Sequence, residues 1–251
     1  MKFHLVVPAG ARSRATLPSF VTDVRPPDRG FEPRQAARTA ELAGLSGVAI
    51  PFDPAGLDPL VLAAALLRET TSVQVTAEFS PAIATPVYAA KLSASLQRFS
   101  ASRLAWRLAV DLDPAVARSQ GDFLTGSDRY ARAAEFLTIA KDIWTKTAVT
   151  YSGRFYQVLD GGLPASTGVP RQFPRVYLSG TSPEALALSA AHADVHVLIA
   201  GDDPSVVPPG VARAVLLHDL GLVEEYAGQG VTEFFVASAD AFAIREVASV
   251  G

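Results

Sequence analysis

Cysteine is absent from all 251 residues. That removes a disulfide scaffold, a thiol nucleophile and a thiolate metal site, and it leaves cofactor chemistry to something the protein binds. Charge is scarce as well. Only 19% of residues are Asp, Glu, Lys or Arg and the formal net charge is -3, so no basic field for nucleic acid exists. The opening, MKFHLVVPAGARSRATLPSF, holds one short apolar run followed by Arg12 and Arg14, which is neither a signal peptide nor a bilayer span. The expectation is a cytoplasmic protein without a membrane partner. There is also no HExxH, no GxSxG elbow, no Walker loop and no strand-bound GxGxxG, which sets aside the common hydrolase, nucleotide-hydrolysing and Rossmann readings.

What the chain does have is apolar residues, 49% of the total, enough to bury a sizeable core. The length suits a (β/α)8 TIM barrel and no composition break divides it. One domain over residues 1–251 is expected.

Short apolar runs alternate with longer amphipathic segments, the rhythm of parallel strands joined by crossover helices. FHLVV predicts a first strand, then a Pro/Arg-rich loop and a helix from Glu32 to Ala43 that Gly44 can end. GVAIP predicts the second strand, and Asp58 caps a helix from Pro59 to Glu69. SVQVTAEF precedes a helix from Pro86 to Phe99, and RLAWRLAV precedes, after a loop, a helix from Ser127 to Lys146. Thr147 to Pro174 reads as an irregular excursion. Strand Val176 to Ser179, helix Pro183 to His192 and strand Val195 to Ile199 restore the rhythm.

GDDPSVVPPG is too short and too proline-rich for a sixth helix, so the barrel is expected to be shortened near its sixth and seventh units. VARAVLL and TEFFVAS then complete eight strands, with a short helix near Glu224 between them. The rival reading makes VARAVLL a helix and leaves seven.

In such a barrel the active site forms at the C-terminal ends of the strands. Ser179-Gly180-Thr181-Ser182 ends a strand and opens a helix, where free N–H groups and the dipole suit a phosphate, although Ser182 can equally serve only as a cap. Ser127-Asp128-Arg129-Tyr130 can add a hydroxyl, a guanidinium and a phenol to the same anion, or be another capped helix start. Asp111 and Asp113 can pair as acids but fit loop formation better. His4 and His196 fall within strands and His192 at a helix end, whereas His218 closes a strand at the active face and is a candidate general base. No metal site is expected.

Taken in order, AARTAELAGLSGVAIPFD, SPAIATPVYAAKLSASLQRFSASRL, GSDRYARAAEFLTIAKDIW, YSGRFYQV and FPRVYLSGTSPEAL resemble the bacterial luciferase-like flavin monooxygenases, in particular their alkanesulfonate monooxygenase branch. The resemblance implies reduced FMN supplied by a separate reductase, insertion of one oxygen atom of O2 into a small organic substrate, and a homodimer. It assigns the FMN phosphate to Ser179, Gly180, Thr181 and Ser182 with Tyr130 assisting, and sets Arg129 and Glu135 in family places.

The departures matter too. Ser100-Ala101-Ser102-Arg103 and Val110-Asp111 replace the family's glycine-rich pattern around the fourth strand, which implies a carboxylate beside the flavin ring and weak binding that Asp111→Gly would improve. Gly56 stands where the sulfonate branch has a cysteine, and Arg213-Ala214-Val215 where it has Arg-x-His, leaving Arg213 as the catalytic counterpart. A long mobile loop covering the flavin in that branch has no counterpart, so water would reach the site. Two functions follow: an FMN-dependent monooxygenase, or a degenerate barrel that binds flavin or another ligand, or serves as a partner subunit, without oxygenating anything.

Overall fold

A computed structural model describes residues 1–8, 31–163, 172–237 and 240–250. The Pro/Arg-rich loop after the first strand and part of the excursion lie outside them. Eight parallel strands close into a barrel. In chain order they are β1 (Lys2–Val6), β2 (Gly47–Ile50), β3 (Gln74–Phe79) and β4 (Leu104–Leu108), then β7 (Arg175–Ser179), β8 (Val195–Ile199), β9 (Ala212–Leu217) and β10 (Glu233–Val236). The intervening β5 (Val149–Ser152) and β6 (Gln157–Gly161) form a separate antiparallel hairpin. VARAVLL is therefore a strand, and the eight-strand reading holds.

Local chemistry explains the helices. Asp58 accepts the Leu60 and Val61 N–H groups ahead of α2 (Pro59–Glu69), and Thr85 caps α3 (Pro86–Phe99); each has proline at the start, where a missing N–H costs nothing. Helix α1 (Phe31–Leu42) ends at Gly44, whose φ of +72° a side chain would resist. The sixth crossover is reduced to a 3-10 turn at Pro204–Val206, as its prolines demand.

Other elements depart from expectation. The excursion contains the β5–β6 hairpin, which packs on α5 (Ser127–Thr145). The loop after β4 carries a short α4 (Pro114–Ser119) capped by Asp113, and α8 (Ala241–Val250) follows β10. Between lie α6 (Pro183–His192) and α7 (Val223–Gly228).

The main core lies between sheet and helices, where Phe79, Trp106 and Phe136 are fully buried and meet edge to face or tilted. Inside the barrel the packing is different. A small apolar layer of Ala49, Ala105, Tyr177, Val197, Ala214 and Phe235 is accompanied by buried polar groups at both ends. No helix among the described residues is long and apolar enough to cross a membrane.

Candidate functional site at the barrel mouth

The strand ends carry two features. The first is the turn from β7 into α6. Gly180 takes φ +106°, and a Cβ there would stand 3.0 Å from the Ala185 Cβ and 3.7 Å from the Tyr130 hydroxyl. Glycine thus lets the backbone turn sharply beneath a phenol. Ser182 caps α6 by accepting the Ala185 N–H at 3.2 Å, so its capping role is real. Its side chain also hydrogen-bonds Tyr130, which contacts Asp111 as well. Burial raises the Tyr130 hydroxyl above its usual pKa; the Ser182 bond opposes that and the Asp111 and Glu184 charges add to it. The phenol therefore stays protonated near neutral pH.

The structure thus brings Tyr130, Ser179, Gly180, Thr181, Ser182 and Asp111 to one rim. Asp111 does not cover the mouth: its side chain is 76% exposed and turned toward Arg129, 3.7 Å away. Arg129 itself is committed elsewhere. Buried, it donates to the Leu124 carbonyl at 2.7 Å and the Leu112 carbonyl at 2.5 Å, clamping the loop after β4. Asp128 pairs with Arg154 through two bonds of 2.6 and 2.8 Å, and Glu135 accepts the backbone N–H groups of Arg154, Phe155 and Tyr156. Both acids tie the hairpin to α5.

The second feature is a cavity of about 260 Å³ over the barrel axis, lined by apolar side chains together with Thr76, Glu78, Arg107 and His218. Glu78 and Arg107 are neighbours across β3 and β4, with Nε 3.3 Å from Oε1. His218 lies at the expected end and is exposed.

Arg213 lies at the other end. It is the second residue of β9, and its Nη1 donates to the Gln229 carbonyl in the turn that feeds β10. A residue at the start of a barrel strand faces away from the active end, so the structure separates Arg213 from His218. His196 is fully buried with Nδ1 2.8 Å from the Ser189 hydroxyl, and His192 is pushed down to about 4 by burial and by Lys141. Neither reaches the mouth. Glu78 and Arg107 had no place among the sequence candidates; the signal was a charged residue of each sign near the C-terminal ends of two adjacent strands. Among the described residues no cluster of acids and histidines could hold a metal ion.

Residues 1–207 match the family profile described as luciferase-like monooxygenase. The chain belongs to that family. Three solved structures share the fold. A riboflavin lyase with modified FMN and riboflavin has a TM-score of 0.69 at 17% identity, over 91% of this chain and 66% of that one. EDTA monooxygenase from Chelativorans sp. BNC1 has a TM-score of 0.65 at 20% identity, again over 91% of this chain and 66% of that one. An F420-dependent secondary alcohol dehydrogenase in complex with an F420-acetone adduct has a TM-score of 0.70 at 14% identity, over 98% of both chains. This luciferase-like chain thus spans just under two thirds of the length of the first two and nearly all of the third.

Proposed function

We propose that this family member is a flavin-dependent monooxygenase for a small organic substrate, using reduced FMN from a separate reductase. The observation that carries the reading is the turn at Gly180: a glycine-only backbone at a helix N-terminus, beside the Tyr130 phenol and at the same end of the barrel as the cavity. Its donors and shape fit a phosphate. Ser179, Thr181 and Ser182 would hold the phosphate with Tyr130, and the ring would extend toward the cavity; the flavin would supply the electrons that activate O2. His218, which lines the cavity, would take or return a proton there.

One observation favours the second reading, a barrel that binds a ligand without oxygenating. Asp111 and Glu184 both act on Tyr130, so a dianionic phosphate there meets two carboxylates and, among the described residues, an Arg129 already committed to backbone carbonyls. The match in length to the F420-dependent enzyme also makes F420 the alternative cofactor.

Anaerobic titration of the purified protein with reduced FMN, riboflavin and F420 tests the reading. FMN is expected to bind at micromolar concentration and more tightly than riboflavin, and Thr181→Glu is expected to remove that preference by placing a like charge in the cradle. Absence of binding by FMN and F420 alike would overturn the cofactor reading and leave the repurposed barrel.

A further inference from the structure

Arg103 and Arg107 are both partly buried, yet they are employed very differently. Arg103 spends its guanidinium on the Ser100, Val73, Leu67 and Thr70 carbonyls and the Thr70 hydroxyl, at 2.7–3.0 Å. Every part of its donor fork is occupied. Arg107, whose side chain is 12% exposed, has Glu78 as its sole polar partner among the described residues, and its Nε lies 3.3 Å away without forming an aligned hydrogen bond. Glu78 is better served, since its Oε2 also accepts the Phe52 N–H at 3.1 Å.

A guanidinium has five N–H donors in a fixed fork. Those on the Nη atoms of Arg107 have no hydrogen-bond acceptor among the described residues, and the residue lines a cavity whose other walls include Val6, Ala49, Ile50, Leu216 and Ala237. Apolar walls with a few convergent polar groups are the usual makeup of a small-molecule site. At about 260 Å³ the cavity falls just under the range of roughly 300–1,000 Å³ typical of drug-sized ligands. A compact ligand fits.

Charge narrows the class. Glu78 already neutralises Arg107, so a carboxylate ligand would add a second anion with one cation to share, whereas a neutral acceptor oxygen uses the idle donors without unbalancing the pair. We propose that Arg107 is a specificity-determining residue of the mouth, and that the cavity takes a neutral, mostly apolar ligand presenting a carbonyl oxygen to its Nη groups. This deepens the proposed function and rests on it only in taking the mouth as the binding end. Such an oxygen can come from a ketone or amide substrate or from a carbonyl of the flavin ring.

Calorimetric titration with acetophenone, ethylbenzene and lumiflavin separates these sources. Acetophenone and ethylbenzene are similar in size and differ in the oxygen; lumiflavin carries the ring without a phosphate. The variants are Glu78→Gln combined with Arg107→Met, so that no lone carboxylate is left, and Arg107→Lys, which keeps the charge with fewer donors. Thermal unfolding reports whether each folds, and if the double variant does not, Arg107→Lys carries the comparison.

A charge-assisted hydrogen bond predicts about a tenfold preference for acetophenone over ethylbenzene in the wild type, lost in the variants. That result assigns the oxygen to a substrate. Lumiflavin affinity falling about tenfold in the variants, with no acetophenone preference, assigns it to the ring. Equal affinity for acetophenone and ethylbenzene together with unchanged lumiflavin binding overturns the proposal. The preference for FMN over riboflavin depends on the Gly180 turn alone, so its loss would sink the phosphate cradle and leave Arg107 untouched.

Discussion

At the N-terminal end of the barrel, Glu233 is 1% exposed and meets Arg175 at 2.6 Å, Lys2 at 3.4 Å and the Tyr177 hydroxyl at 3.0 Å. Gln74 donates in turn to Tyr177 at 3.0 Å, and His4 stacks on Phe235 with Nε2 3.5 Å from the carboxylate. At the C-terminal end, Glu78 and Arg107 face each other with donors to spare beside a cavity. Both ends hold charge out of full contact with water, but Glu233 is met by two cations and a phenol, whereas Arg107 has one carboxylate facing it among the described residues. Satisfied networks fix a structure, while unsatisfied ones wait for a ligand. The contrast sets a paired plug at one end of the barrel against an open cavity at the other.

The largest test of this contrast is Glu233→Ala. Removing the buried carboxylate leaves the largely buried Arg175 without its counter-ion, and breaking a buried pair in this way costs up to about 3–5 kcal/mol, read as a lowered urea midpoint. A loss below about 1 kcal/mol would show that the plug does not hold the barrel closed. The mouth pair should behave oppositely. Glu78→Leu with Arg107→Leu removes both charges and is expected to leave stability within about 1 kcal/mol of wild type or above it, measured by the same urea curves.

Acid sharpens the comparison from the same side. Burial alone would raise the Glu233 carboxyl, but His4, Arg175 and Lys2 outweigh it and hold the group at about 2, against an ordinary 4.5. His4 itself is driven down by burial, so Arg175 and Lys2 are the cations that count. A depressed carboxyl stabilises the fold above the unfolded value, and that contribution is lost as pH falls from about 4.5 toward 2. Glu233→Gln should therefore flatten the stability profile across that window. An unchanged profile would place the acid sensitivity elsewhere.

The smallest effect belongs to Asp111. Its exposed carboxylate is heavily screened, so Asp111→Asn is expected to tighten reduced FMN by only about threefold, and less in high salt. A gain of several decades on titration would mean that the carboxylate swings over the ring after all.

Much of the fold was legible because its signals are local. Asp58 and Pro59, Thr85 and Pro86, and Ser182 and Pro183 each announce a helix start through neighbouring residues. The hairpin was less so, since YSGRFYQVLDGG spreads turn residues through short strands that are tied down by Glu135 on the preceding helix, 19–21 residues away. The site divides the same way. The rim of Gly180, Ser182 and Tyr130 was readable from a strand-to-helix junction. Arg213 was misplaced because position within a strand, not motif order, decides which end of the barrel a side chain serves. Glu78 and Arg107 escaped notice because their meaning depends on register between strands, which no single segment carries.

The plug also dictates an order of events. Lys2 and Glu233 are 231 positions apart, and β10 is both the last strand and the seam that pairs with β1 and β9. A chain emerging from the ribosome therefore makes Lys2, Arg175 and Tyr177 long before their common counter-ion exists. Until β10 is in place Lys2 and Arg175 lack this carboxylate, and contacts of such separation form slowly. Closure of the barrel and pairing of Lys2 and Arg175 are one event, completed when β10 takes its place between β1 and β9.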